Sequence, residues 1–445
     1  MALVFAMAAA GAALAVASAA RLLRSRFLHP TDVAVLSTFY YAVPLAVCGY
    51  LLFNPRDMIF LHRAAADPAL AVRAMHYALA AMIALHAGSW AMRATRDNGP
   101  APCFLATYFK AGAAGQTRAW AAAGLLVVLM GAGILQFGTA EFFEGYASES
   151  DAAGATLGIA LVYFAVSAFG MIIAYALILK RVDPDRPVFW LIATVSACAL
   201  FVLLARSKRL EIVIAFLPMA IILLSRRKSL TITVGRLAIG GAAVALLVVL
   251  AALRINEAID PFAFGFYLFS EGLYAGHALP GIVQRLDAGM LGYENGVRFV
   301  SAFLAFVPRV VWPGKDDFVY AGNHALDGVA PLGATSFLAE TVLQGGLVAV
   351  VLVHFALGMV FEWSTRFERV WDAALASGYI PRRFIAYLVL IAVFIPHFRD
   401  GIIPAIKLSL QAAAFLVLLT GLHRVPGWVR EGRALALRHH RAGAG

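Results

Sequence analysis

The stretch from Ser336 to Glu362 reads SFLAETVLQGGLVAVVLVHFALGMVFE. Between Phe337 and Phe361 it carries one formal charge, Glu340, in a run of Val, Leu, Ala and Phe. Crossing the ~30 Å hydrocarbon core takes about 20 apolar residues as helix, so the run is long enough to span. It shows no alternation of period two, which favours a helix over a barrel strand. A carboxylate inside such a span is costly unless it is paired or used, so Glu340 is a candidate functional residue from the outset.

The same reading extends along the chain. Of 445 residues, 62% are hydrophobic and 14% charged, with a mean hydropathy of +0.82. A soluble domain carries about a quarter charged residues. Spanning helices are predicted at about 3–20, 32–53, 69–92, 119–138, 156–179, 188–205, 210–224, 236–253, 336–361, 383–396 and 402–422. The expected fold is therefore all-α and polytopic, with about 11 transmembrane helices. Residues 1–445 form one integral membrane domain, 254–335 a long outer loop region, and 423–445 a basic cytoplasmic tail. Within the loop, the apolar run from Phe299 to Val307 is too short to span and is expected to lie in the interface or dip back. The N-terminal segment lacks a basic n-region and reads as a first span, not a cleaved signal. Cys48, Cys103 and Cys198 make no disulfide framework.

Lysine and arginine set the orientation. RLLRSRF after the first span, KRVDPDR, SRRKS and the tail all fall on one side, while TAEFFEGYASESD on the other has acids and no base. The positive-inside rule then puts the first terminus outside and the last in the cytoplasm. The net charge of +11 is explained by this bias, and no nucleic-acid partner is implied.

Against that pattern, several cations sit on the outer side: Arg206, Lys208, Arg209, Arg254, Arg309, Lys315 and Arg399. Singly, each is explained by helix capping, snorkelling or a nearby acid, as with Arg254 and Glu257 or Arg399 and Asp400. As a set biased to one face they suit a multiply charged anion, since arginine matches phosphate oxygens and lysine adds a point charge. Outside the cytoplasm, in a membrane, a lipid-linked diphosphate answers both features. Trp312, Tyr293 and Tyr320 stand among Gly, Asn and Asp, a composition that suits sugar rings and also an interfacial aromatic belt.

Four segments resemble the oligosaccharide repeat-unit polymerases of the Wzy type, which polymerise O-antigen and related surface polysaccharides in bacteria. They are ARSKRLEIVIAFLPMAIILL, FVPRVVWPGKDDF at Phe306–Phe318, the opening stretch, and FRDGIIPAIKLSL. Together they cover roughly residues 200 to 420. In the opening stretch Gln344 departs from the Asn or Tyr that such proteins place beside the glycine. The resemblance implies a GT-C-like fold and metal-independent chemistry. A sugar hydroxyl attacks the anomeric carbon of a glycan on polyprenyl diphosphate, and the diphosphate leaves. Fixed cations stabilise the charge on the leaving group, with Arg309 and Lys315 first, then Arg206, Arg209 and Arg399, then Arg254.

A general base assists the attack. Glu340 is the first candidate, with the alternative that it only orients an arginine; His397 is next, and Asp400, Glu271, His277 and His324 are further options. Asp316–Asp317 is the acidic pair in reach of a divalent cation, but no metal motif accompanies it. Neither a nucleotide loop nor a cofactor motif is present. Polyprenyl-diphosphate-linked oligosaccharides and membrane lipid are the expected partners, with a chain-length regulator and a flippase as further ones. A ligase with the same diphosphate site, or a transporter of lipid-linked oligosaccharide, is the alternative; a transporter should show paired halves with matching broken helices.

Overall fold

The computed structural model describes residues 2–51, 67–95, 103–105, 275–276, 278–307, 311–326, 329, 335–373 and 379–422, with isolated helical positions between 124 and 245. The described elements are α1 (Ala2–Arg24), α2 (Pro30–Leu51), α3 (Pro68–Ala94), β1 (Cys103–Leu105), α4 (Val297–Leu304), α5 (Lys315–Val319), α6 (Phe337–Thr365), β2 (Tyr379–Pro381), α7 (Arg382–Val389) and α8 (Ile402–Leu422). The described elements are thus helical, apart from one short ribbon. Three helical stretches among the described residues are long and apolar enough to cross a membrane: Ala2–Arg24, Ala69–Ala94 and Phe337–Ala373. Of the expected spans between 119 and 253, only isolated positions are described.

The backbone divides into two compact units. One comprises Met1–Gly99, Leu224–Arg366 and Ala386–Leu410; the other comprises Pro100–Leu223, Phe367–Ile385 and Gln411–Gly445. In the second, β1 and β2 pair antiparallel with Phe104 opposite Ile380. Nearby in sequence, Phe367, Trp371 and Phe384 form a mutual cluster, with ring centroids 5.6, 4.5 and 4.9 Å apart.

The first unit holds the candidate site, and its frame is the packing of α3 against α6. Asp67 starts α3 by accepting from the Ala69 N–H at 2.8 Å, with Pro68 in the first turn, where its missing N–H costs nothing. Ser336 starts α6 by accepting from Ala339. The two helices run in the same direction. Leu70 and Ala74 share a buried cluster with Leu338 and Val342, while further along Gly88 meets Phe355 and Gly358 meets Leu85. At those glycines the backbones touch: a Cβ on Gly358 would lie 2.1 Å from the Leu85 carbonyl oxygen. Small residues permit such closeness, which replaces the hydrophobic drive absent between helices in lipid.

Charged pairs collect at the two ends of this frame. At the end where α3 and α6 finish, Arg21 donates to Asp32 at 2.6 Å, and Glu362 accepts from Arg93 at 2.8 Å and Ser89 at 2.7 Å beside His29. At the other end, where α3 and α6 begin, Arg73 pairs with Asp287.

Candidate functional site at the break in the long helix

The sequence Gln344-Gly345-Gly346 does not continue the helix. Gly346 has φ 60° and ψ −141°, a conformation that only glycine adopts without strain. The break divides α6 into a first piece, Phe337–Gln344, whose residues are all buried, and a second piece from Leu347 to Thr365. The second piece is about 28 Å long at 1.5 Å per residue, close to the hydrocarbon thickness. The short first piece carries Glu340 and Gln344 into the loop region.

Those side chains meet Arg298, a residue the sequence reading passed over. Arg298 sits on α4 and is 3% exposed. Its Nη1 donates to Glu340 Oε1 at 3.1 Å, and its Nε and Nη2 donate to the two oxygens of Glu294 at 2.8 and 3.2 Å. Nη2 also reaches the Gly322 carbonyl at 3.1 Å. Gln344 closes the ring, donating to Glu294 at 2.7 Å and accepting from the Arg298 backbone N–H at 3.3 Å. The Gln344 side chain therefore holds the loop at the break. One signal in the sequence pointed here: Glu294 and Arg298 flank the turn-forming Asn295–Gly296 pair in ENGVR, and both residues of that pair adopt positive φ before α4 begins.

Glu340 has further donors. Thr335 donates to Oε1 at 2.6 Å, and the backbone N–H of Ile402, at the start of α8, donates to Oε2 at 2.6 Å. A carboxylate at a helix N-terminus also gains from the helix dipole. Gly401 makes the approach possible. Its φ is 96°, and a Cβ there would lie 2.5 Å from the Glu340 carboxyl carbon. With both oxygens engaged and the side chain 4% exposed, Glu340 ties α4, α6 and α8 together. This geometry is that of the orienting alternative, with Arg298 as the arginine.

The other candidates fall into three groups. Arg399 and Asp400 pair at 2.8 Å and remain partly open, immediately before the pinned Gly401. His397, in the same turn, is buried, and its Nδ1 lies 2.6 Å from the Val393 carbonyl; burial holds its imidazole below the usual pKa. Lys315 is buried, and its ammonium donates to the carbonyl of Ala305 at 3.0 Å and to that of Val307, at the C-terminal end of α4. Tyr320 accepts from Lys407 at 3.4 Å, Trp312 packs its ring 5.8 Å from Phe318, and Tyr293 is half-exposed beside Gly346.

Arg206, Arg209, Arg254, Arg309, Glu271 and His277 lie outside the described residues, as does the side chain of His324. Among the described residues no cluster of metal ligands occurs.

One apolar cluster joins the elements around this site. Ala305 and Val319 from the loop, Phe337 and Phe361 from α6, and Phe398 and Ile402 from the 398–402 turn belong to it. Phe337 stacks on Phe398 at 4.8 Å and meets Phe394 edge-on at 5.7 Å. Compared with family models, with curated proteins and with solved structures, the chain matches none.

Proposed function

We propose that the protein polymerises polyprenyl-diphosphate-linked oligosaccharide repeat units at the outer face of the bacterial inner membrane. The observation that carries this reading is the apolar cluster just described. Two of the four sequence elements that resemble the Wzy type, remote along the chain, contribute to it, the opening of α6 and the segment of the Arg399–Asp400 turn, and Ala305 and Val319, which directly flank a third at Phe306–Phe318, join them. The cations would serve the leaving group. Arg399, held next to the Glu340 anchor, works with Arg309, Arg206, Arg209 and Arg254 to neutralise charge on the departing diphosphate. The acceptor hydroxyl forms the new glycosidic bond as the bond to diphosphate breaks, and its proton passes to a carboxylate. Asp400 is the carboxylate proposed for that role ahead of Glu340, because it retains solvent access. Trp312, Tyr293 and Tyr320 offer aromatic faces to sugar. The reading includes about 11 spans in a GT-C-like arrangement, with the first terminus outside.

The test incubates the purified protein with a lipid-linked repeat unit and resolves the products by size. A ladder of repeat units is expected, lost in Arg399→Ala and Arg309→Ala proteins that still insert. Transfer of a single glycan to a lipid acceptor would assign a ligase instead. Passage of the intact unit across vesicles without joining would assign a transporter.

A further inference from the structure

Every exposed residue of the loop helix and the turn after it, from 297 to 306, is apolar, and the strongest polar groups point inward. Val297, Val300 and Phe303 are 54%, 57% and 58% exposed, whereas Arg298 and Ser301 are 3% and 2% exposed. Phe306 continues the outward row. A surface helix in water has the opposite arrangement. We infer that α4 lies in the outer boundary of the bilayer, with this row against lipid chains and Arg298 turned into the protein.

The depth follows from the contacts of α4 with α6. The N–H of Glu294 donates to the Leu343 carbonyl at 3.0 Å, Gln344 accepts from Arg298, and Tyr293 Oη lies 3.0 Å from where a Gly346 Cβ would be. The loop is thus seated at the break itself. Immediately beyond it, α6 turns an apolar face outward through Leu347, Val348, Val351 and Leu352. On a spanning helix of hydrocarbon thickness such a face is covered by lipid. The outward row of α4 therefore begins where the lipid-facing surface of α6 begins, and phospholipid is the occupant that continuity selects. An amphipathic helix with one apolar side lies in this zone without spanning. Lys315, bound to the carbonyls at its C-terminal end, satisfies acceptors that lipid would leave without donors. The inference concerns where the loop sits and does not depend on the reaction proposed above.

The test places nitroxide labels singly at Val300→Cys, Phe303→Cys and Asp317→Cys in full-length protein whose three native cysteines are replaced. The proteins are reconstituted in nanodiscs of phosphatidylethanolamine with a minority of phosphatidylglycerol. Labels at 300 and 303 are expected to be relaxed more by oxygen than by a water-soluble nickel chelate, and the label at exposed Asp317 the reverse. Equal nickel accessibility at all three positions would overturn the inference. So would exclusion of both relaxants at 300 and 303, the result expected if a second copy or another protein covered the row. Unsubstituted protein gives an independent reading, since a diazirine-bearing phospholipid should label the peptide 297–306 on illumination. Absence of label there, with α6 labelled, would also refute it.

Discussion

Replacing Arg298 by methionine tests whether the ring at the break holds the loop that carries α4. The substitution keeps much of the side-chain volume and removes the charge. It leaves two carboxylates, Glu340 and Glu294, facing each other with their shared cation gone. Removing one partner of a buried ion pair costs roughly 3–5 kcal/mol, because the remaining charge stays buried without compensation. Glu340→Gln is different. Arg298 keeps its two-point contact with Glu294, and the loss is a charge-assisted bond plus a poor contact at the Ile402 N–H, about 1–3 kcal/mol. The order of the two effects is therefore fixed by the structure: Arg298→Met is the more damaging. Adding Glu340→Gln to Arg298→Met removes the buried unpaired charge and should restore stability, with a coupling of about 1–3 kcal/mol. Unfolding in mixed micelles, followed by circular dichroism as denaturing detergent is titrated, measures all three proteins. The reasoning fails if Glu340→Gln costs more than Arg298→Met, or if the double substitution is the sum of the single ones.

Gly401→Ala forces a side chain into a positive-φ position and against the Glu340 carboxyl, so it should cost more than the backbone strain of about 1–2 kcal/mol. The same titration reads it, and wild-type stability would refute the role given to Gly401. Gly358→Ala puts a methyl into the Leu85 carbonyl and should destabilise by about 1–3 kcal/mol. A lowered Tm is the expected readout, with no matching loss from Ala substitution of Gly292, around which there is open space. Lys315→Met leaves the carbonyls of Ala305 and Val307 without their ammonium donor, a loss of about 1–3 kcal/mol, seen as faster proteolysis of the loop. Unchanged proteolysis with abolished chain growth would place the ammonium on substrate instead.

Helices far apart in sequence were legible because each announces itself locally. The ends expected at 32–53, 69–92, 336–361 and 402–422 lie close to those of α2, α3, α6 and α8. Apolar length needs no partner to be recognised. The expected span at 383–396 shows the limit: the chain there passes from α7 into a π-helical turn at Leu390–Phe394 and a tight turn at Pro396–Arg399. Hydropathy records that a segment is oily and says nothing of how its hydrogen-bonding ladder runs.

Residue roles were less legible than spans, because a role depends on the partner a side chain finds. Lys315 and Arg399 carry the same charge and were grouped together, yet one is buried on backbone carbonyls and the other shares its charge with the next residue. Sequence by itself determined a helical membrane protein, and it marked Glu340 as a carboxylate too costly to leave unpaired. Only the tertiary structure decided that Arg298, 42 residues upstream, is its cation, that Gly401 lets the start of α8 close over it, and that α4 is turned inside out. The physical reason is that burial and pairing arise from contacts between distant segments. Hydropathy, charge side and helical period belong to the segment alone.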